Sequence, residues 1–526
     1  MKKLSLIVTV FIAILYFTKP VSAQILTVDI TGGKVEGIFK DEIASFKGIP
    51  FAAPPVGNLR WKAPQPVIPW EGVKKADVYG PTPMQDKQTA KMLALSPNIS
   101  EDCLHLNVWT GAKSPDEKRP VMVWIYGGGF VGGASNCPLY DGGNYARKGI
   151  VFVTINYRLG AFGFLAHPEL SKESGKGSGC YGIQDQVAAL KWVKENIGAF
   201  GGNPENVTIF GQSAGSFSVS ILSAVPAAKG LFQRIISESG SYMAPLKYAN
   251  EAGTFNLSLK KAEQDGKTFL SELGAENIGQ ARMLSAEKIQ AAVPGIPVFK
   301  FWPVADGVTI PGDLYIQYLA GNFNDVPVII GTNSDEGAGF VQPSQVLNPE
   351  GFEKTINENY GPAAKAILKV YPHASEKETL KSQKDIWRES LFGWPAWAWA
   401  NLHAKKSKNK TYVYYFDVHS DKSPDGAPHS AEVPYVFLFK YGINGGRPTE
   451  TDKTVMDMMG SYWINFAKTG NPNGQGLPVW PAYNQKNMKT MIFDTASSAR
   501  PLPNIEKDKA FDEYFKWRRK QNKGKD

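Results

Sequence analysis

The sequence predicts an α/β fold with a large, mostly parallel central sheet flanked by helices, and three observations carry that prediction. Val121-Met122-Val123-Trp124-Ile125-Tyr126 and Val151-Phe152-Val153-Thr154-Ile155 are near-continuous apolar runs, the texture of strands buried on both faces. Other stretches place apolar residues at helical spacing, as in Val187, Leu190, Val193 and Ile197. Strands and helices alternate, which builds a parallel sheet covered on both faces. The chain of 526 residues is 43% hydrophobic and 12% aromatic, enough to fill one deep core. No fixed-period repeat or low-complexity linker divides it.

The chain opens with Lys2 and Lys3, continues in an apolar stretch over residues 4–17, and reaches Val21-Ser22-Ala23. A basic start, a short apolar run and small residues are the pattern of a cleavable signal peptide. Residues 1–23 are therefore expected to be removed, leaving Gln24 as the mature N-terminus. The apolar stretch is shorter than the roughly 20 residues that span a bilayer. No later run is long and apolar enough for a second span, and no Cys follows the expected cut to carry a lipid. No stable membrane anchor is expected. Export follows, to the periplasm of a cell with two membranes, otherwise to the surface or the medium.

Residues 25–30 and 34–39 read as a β-hairpin around Gly32-Gly33. The Pro-, Gly- and Trp-rich segment after it reads as long surface loops. Beyond the two apolar strands and the helix carrying Val187 come Val207-Thr208-Ile209-Phe210, a helix-like stretch after Gly215, and the strand-like Arg234-Ile235-Ile236. Residues 250–325 are helix-like and more polar. Val326-Pro327-Val328-Ile329-Ile330-Gly331 returns to strand character, and a helical block with Trp394, Trp397 and Trp399 precedes the strand Tyr412-Val413-Tyr414-Tyr415-Phe416. Both helical blocks are expected as insertions over one sheet, within a single domain at residues 24–515. Much of the net charge of +9 lies in Lys516-Trp517-Arg518-Arg519-Lys520 and the lysines after it. Residues 516–526 are expected as a basic tail, solvated and frayed rather than bound to nucleic acid or a membrane.

Cys103, Cys137 and Cys180 form no C-x-x-C pair, so zinc and redox motifs are absent from the sequence. An odd number leaves at least one thiol free, and Cys137 with Cys180 could bridge.

Gly211-Gln212-Ser213-Ala214-Gly215 lies between an apolar strand and a helix. With Gly at 52 of 526 residues, G-x-S-x-G alone carries little weight. Its placement carries more. A tight strand-to-helix turn lifts a serine hydroxyl toward a base, and flanking glycines remove the Cβ atoms that would clash. Such a serine needs a base, and the base an orienting carboxylate. Of six histidines, none forms H-E-x-x-H or an i, i+4 pair, so no metal or other cofactor is expected.

His105 lies in a strand-like run, His403 in a helix-like one, His373 in an isolated polar stretch, and His167 upstream of the serine. His419 and His429 remain, behind the strand ending at Phe416. The Pro/Gly-rich loop around His429 favours it and leaves His419 open. Asp335 and Glu336, after the strand ending at Gly331, are alternative acids. The order serine, acid, histidine is that of α/β-hydrolases.

Tyr126-Gly127-Gly128-Gly129-Phe130 follows a strand, and its N–H groups, with that of Ala214, can meet negative charge developing on a carbonyl oxygen. Gly127, Gly129 and Gly132 also fit G-x-G-x-x-G. The residues after them do not open a helix, the next strand runs into Asn156 rather than an acid, and no Lys-Ser/Thr follows. Nucleotide binding is disfavoured.

Together these residues resemble the type-B carboxylesterase/cholinesterase family of the α/β-hydrolase fold, over nearly the whole mature chain. Phe46-Lys47-Gly48-Ile49-Pro50-Phe51-Ala52 and Ser100-Glu101-Asp102-Cys103-Leu104 are similar to its N-terminal signatures. Asn156-Tyr157-Arg158 with Gly163-Phe164-Leu165, Gly201-Gly202-Asn203-Pro204, and the late Trp463-Ile464-Asn465-Phe466-Ala467 follow in the family's order.

The resemblance implies Ser213 as nucleophile, Glu336 rather than Asp335 as acid, and His429 rather than His419 as base. It implies oxyanion donors at Gly128, Gly129 and Ala214, and Glu432 as a support outside the triad. The expected activity is carboxylic-ester hydrolysis through an acyl-enzyme, on small or aromatic esters. A narrower alternative removes acyl or aromatic groups from polysaccharides or natural products. A non-catalytic adhesion module is the alternative of another class, disfavoured because every triad position is intact.

Two departures from the family bear on substrate and stability. Cholinesterases carry Glu before the nucleophile where this chain has Gln212, and their cation-stacking Trp has no counterpart in residues 82–102. Both disfavour a quaternary-amine substrate. The family's bridge to the position of Cys103 needs an upstream cysteine that this chain lacks, so the loop at residues 82–100 loses a covalent tie.

Overall fold

Apolar runs dense enough to be buried on both faces form the middle of one eleven-stranded sheet. The computed structural model describes residues 24–293, 300–439 and 446–525. The expected leader, residues 1–23, lies outside them, as does Asp526. The strands are β1 (Ile38–Lys40), β2 (Ile43–Pro50), β3 (His105–Thr110), β4 (Arg119–Ile125), β5 (Val151–Ile155) and β6 (Gly202–Gln212). They continue with β7 (Arg234–Glu238), β8 (Val328–Asn333), β9 (Thr411–Phe416), β10 (Lys489–Phe493) and β11 (Ser498–Pro501). Across the sheet they run β11-β10-β9-β8-β7-β6-β4-β5-β3-β2-β1.

The seven strands from β10 to β5 pair in parallel. The outer four pair antiparallel at the two edges. Every residue of β5, β8 and β9 is buried, as the apolar runs require.

The chain goes from β4 to β5 on one side, then crosses back to β6 on the other side of β4 and on to β7. The ends of β4 and β6 therefore flank a topological switch point, where folds of this kind place their ligands. The Gly127–Gly129 run and Ser213 stand at that point. Helices α1 (Tyr181–Asn196) and α2 (Ala214–Leu222) follow the sheet's central strands. One helical insertion separates β7 from β8. A second, between β8 and β9, contains α3 (Glu376–Arg388) and α4 (Trp394–Lys406), with Trp394 and Trp399 fully buried. Helix α5 (Glu450–Thr469) packs against β4 and β6, and α6 (Ile505–Asn522) packs against α4.

Three expectations change. The Pro- and Gly-rich segment read as surface loop contains β2, because a register shift between Phe46 and Ile49, with Gly48 at φ 68°, breaks the two-residue alternation that marks a strand. Cys137 and Cys180 do not bridge: all three cysteines are free, and the two thiols donate to the carbonyls of Leu93 and Val304.

The basic stretch from residue 516 is not a frayed tail. As far as Asn522 it is the last part of α6, where Arg518 reaches Glu251 at 2.6 Å. Arg519 donates to Asp313 at 2.8 Å and lies over the ring of Tyr315 at 4.0 Å. The neutralising carboxylates come from distant parts of the chain, so local composition does not show that these arginines pack. Among the described residues no helix is long and apolar enough to cross a membrane.

Replacing Arg519 with Ala would leave the mostly buried Asp313 carboxylate without its cationic partner, with the Tyr315 N–H still donating to it. Loss of about 2–3 kcal/mol of stability is expected, read as a lowered denaturation midpoint in urea. An unchanged midpoint would return this helix end to the status of a solvated tail.

Candidate active site

Strand β6 ends at Gln212 and α2 begins at Ala214, so Ser213 alone makes the turn. Its backbone sits at φ 55°, ψ −122°, a region that residues with a Cβ avoid. The flanking glycines are there for contact. A Cβ on Gly215 would lie 1.8 Å from the Ile125 carbonyl oxygen, and one on Gly211 would lie 2.5 Å from the same atom. The Ser213 N–H donates to the Glu238 carbonyl at 2.9 Å, tying the turn to β7.

The glycine run after β4 faces this turn. A Cβ on Gly127 would lie 2.9 Å from that of Ser213. Gly128 and Gly129 hold φ of 108° and 61°. The Gly128 carbonyl accepts from the N–H groups of Val131 and Gly132, closing a tight turn. Ala214, first residue of α2, has an N–H with no acceptor within its own helix.

An isolated β-bridge between Asp335 and Pro428 draws together the loops after β8 and β9. Ser334 fastens it, its hydroxyl accepting from the Ala427 N–H at 2.8 Å. Glu336 and His429 thereby meet: Nδ1 of the imidazole is 2.5 Å from Oε2 of Glu336. Glu336 is fully buried, and its other oxygen accepts from the Asn333 N–H at 2.7 Å. With Nδ1–H donating to Glu336, Nε2 is an acceptor, and the Gln212 side-chain amide meets it at 3.3 Å. The Ser213 hydroxyl makes no hydrogen bond to His429 in this conformation, although it belongs to the next residue.

Of the alternatives left open by position, His419 instead pairs with Asp417 on an exposed loop, and Asp335 spends its backbone on the bridge. His403 is buried between Thr411 and the Val326 carbonyl. His167 caps a helix, and His373 pairs with Glu353. Among the described residues, no group of three or more His, Cys, Asp or Glu side chains could hold a metal ion.

Two features of this site were not singled out in the sequence. A π-helical turn, Glu389–Gly393, joins α3 to α4 and places the Phe392 ring on the face of His429, with centroids 4.5 Å apart. Arg388 anchors the turn through Glu389 and donates to the Ser334 carbonyl at 2.8 Å, linking it to the loop of Glu336. Glu238 is the second feature, a fully buried carboxyl that accepts from the Trp463 indole at 2.7 Å. Its only local signal is a charged residue ending the apolar run of β7. Burial, with Glu432 nearby, pushes its pKa well up. Glu432 accepts from the Asn333 amide, and burial together with the neighbouring Glu336 pushes its pKa up to about 7.

A model of the carboxylesterase family matches residues 24–511. The chain is 39% identical over 500 residues to the para-nitrobenzyl esterase of Bacillus subtilis (strain 168), covering 90% of this chain and 96% of that one. It is 33% identical over 469 residues to the fumonisin B1 esterase of Sphingopyxis macrogoltabida, covering 86% and 84% of the two chains. Its structure superposes on a solved thermophilic PNB esterase with a TM-score of 0.82 at 36% identity, covering 92% of this chain and 99% of that one.

Glu432 makes stability depend on pH. The folded protein keeps a proton that an unfolded glutamate releases near its ordinary value of 4.5, so this group's contribution falls as pH rises from there to about 7. Glu432→Gln cannot ionise. Its melting temperature, taken relative to the native protein at each pH, should rise between pH 5 and pH 8. A constant difference across that range would contradict a proton held at Glu432.

Proposed function

The chain belongs to the carboxylesterase family, with its α/β-hydrolase fold and carboxylic-ester hydrolase activity, and from that premise we propose that it cleaves small or aromatic esters through an acyl-enzyme on Ser213. The observation that carries this reading is the Glu336–His429 pair, with Nε2 turned to the residue beside the strained serine.

In the first step the Ser213 oxygen attacks the ester carbonyl while His429 Nε2 takes the hydroxyl proton. A rotation of the serine side chain brings the hydroxyl to Nε2, and the Gln212 amide gives way. Glu336 holds the imidazole tautomer and stabilises the imidazolium. The N–H groups of Gly128, Gly129 and Ala214 receive the oxyanion, charge that is stronger in the transition state than in the substrate. The alcohol oxygen takes the proton from His429 as its bond to the acyl carbon breaks. Water then attacks the acyl-enzyme by the same route, restoring the serine.

The rings around His429 support an apolar or aromatic ester. Phe392 stacks on the imidazole, Phe340 meets it edge-on at 5.8 Å, and Trp387 stacks on Phe340 at 5.5 Å. The name of one relative, a para-nitrobenzyl esterase, lies within that range, and that of another, a fumonisin B1 esterase, favours natural-product esters as a second reading. The leader-like residues 1–23 support action outside the cytoplasm, in the periplasm or beyond.

Ser213→Ala should lower turnover of an aryl ester by about six orders of magnitude, and an organophosphonate should label the native protein at Ser213 alone. Near-normal turnover by the purified variant would sink the assignment. Gln212 carries no charge, so Gln212→Glu should raise the preference for a choline ester over its uncharged 3,3-dimethylbutyl isostere about tenfold. An unchanged ratio of kcat/KM would place the leaving group away from residue 212.

A further inference from the structure

Gln85 is buried at 2% exposure on the segment upstream of Cys103, the one that lacks the family's covalent tie. Its side-chain amide makes a reciprocal pair with one residue of the glycine loop. Oε1 accepts from the Gly133 N–H at 2.9 Å, and Nε2 donates to the Gly133 carbonyl at 2.8 Å. Nε2 also reaches the Pro83 carbonyl of its own segment at 3.0 Å. A glutamine in this pose satisfies both backbone groups of a buried residue, and no smaller or apolar side chain does so.

Gly133 is mechanically joined to the proposed oxyanion donors. It sits at φ 104°, pressed so close to the Tyr126 ring and the Gly127 carbonyl that a Cβ would lie 2.6 and 2.7 Å from them. The preceding Gly132 donates its N–H to the Gly128 carbonyl at 3.0 Å, and a Cβ on Gly128 would lie 2.2 Å from the Gly132 oxygen. Movement at residues 132–133 therefore reaches Gly128 through direct backbone contact. Glycines of positive φ supply little stiffness of their own.

The segment carrying Gln85 is held without a covalent tie. Cys103 is free. Residues 82–83 pair with residues 99–100, and Asn136 donates to the Thr82 hydroxyl at 3.0 Å. Ala90 and Leu95 pack with Ala134 in a small cluster separate from the main core. Against this modest packing, Gln85 is the element that grips the glycine loop directly.

We propose that Gln85 is a positioning residue for the oxyanion loop, fixing Gly128 and Gly129 from the non-covalently docked segment at residues 82–100. The inference rests on the oxyanion assignment made above. The segment thus acts as a lock, and transition-state stabilisation requires it to be seated.

The test is Gln85→Met, which keeps the volume and removes all three hydrogen bonds. Active sites are titrated with a chromogenic organophosphonate, and kcat is expressed per titrated site on p-nitrophenyl acetate. We expect that kcat to fall about 10- to 100-fold with KM within threefold. Affinity for an aryl trifluoromethyl ketone, which binds as an oxyanion adduct, should fall by the same factor as kcat/KM. The control Met92→Ser, on the exposed tip of the segment, should match the native protein in both.

Unchanged kcat per site, a loss confined to the number of titrated sites, or a rise in KM alone would each overturn the proposal. Should Gln85→Met fail to fold, Gln85→Glu keeps the acceptor for the Gly133 N–H and is read by the same two measurements, with the same outcomes. If Ser213→Ala is inactive while the Gln85 variants turn over normally, only this inference fails. If Ser213→Ala remains active, the mechanism beneath it fails.

Discussion

The site depends on one close approach, that of the turn after β6 to the end of β4. The Ile125 carbonyl lies so near Gly215 and Gly211 that neither position tolerates a Cβ. This contact fixes where the turn sits relative to the glycine loop, because both leave adjacent parallel strands at the point where the chain reverses direction across the sheet. It also forces Ser213 into a backbone conformation costing on the order of 1–3 kcal/mol. Strands buried on both faces can bear that cost; a surface loop would relax it away. The strained serine is thus a consequence of sheet packing, and its proposed role as nucleophile rests on that position.

Electrostatics behind the site obey a similar economy of position. Glu336, Glu432 and Glu238 are all fully buried, and desolvation together with a neighbouring carboxylate pushes the pKa values of Glu432 and Glu238 up. Only Glu336 has both a backbone N–H and an imidazole N–H as partners. Glu336 is thus the one of the three that faces the imidazole, while burial favours protons on the other two. Asn333 links the arrangement, giving its backbone N–H to Glu336 and its side chain to Glu432.

The central sheet was legible in the sequence because parallel strands buried on both faces have no alternation to disguise them. Strands β4, β5 and β9 are each near-continuous apolar runs. What failed to show was whatever depends on partners far along the chain. Strand β2 hides behind its bulge. Arg518 and Arg519 look solvated until Glu251 and Asp313 are placed beside them. At the site, the serine turn and the glycine loop could be read locally, since their glycines answer to neighbouring backbone. The choice between His419 and His429 could not, because it is made by a bridge between Asp335 and Pro428 that no periodicity announces. Phe392 was invisible for a related reason: a π-helical turn shifts the helical phase, so spacing does not reveal which face it occupies.

These two halves of the site are consequently held by different means. On the serine side, backbone lies against backbone at distances that leave no slack. On the histidine side, two loops are joined by a bridge, a buried ion pair at Arg388 and stacked rings, contacts that permit small adjustments. The hydrogen bond between Gln212 and His429 belongs to this second kind. It occupies Nε2 with a neutral donor that a serine hydroxyl can replace, whereas a carboxylate at residue 212 could not donate there at all. Freedom in the proposed reaction is thus greatest in side-chain rotation beside the imidazole, while the position of attack is set by the sheet and that of oxyanion binding by the sheet together with the Gln85 contact.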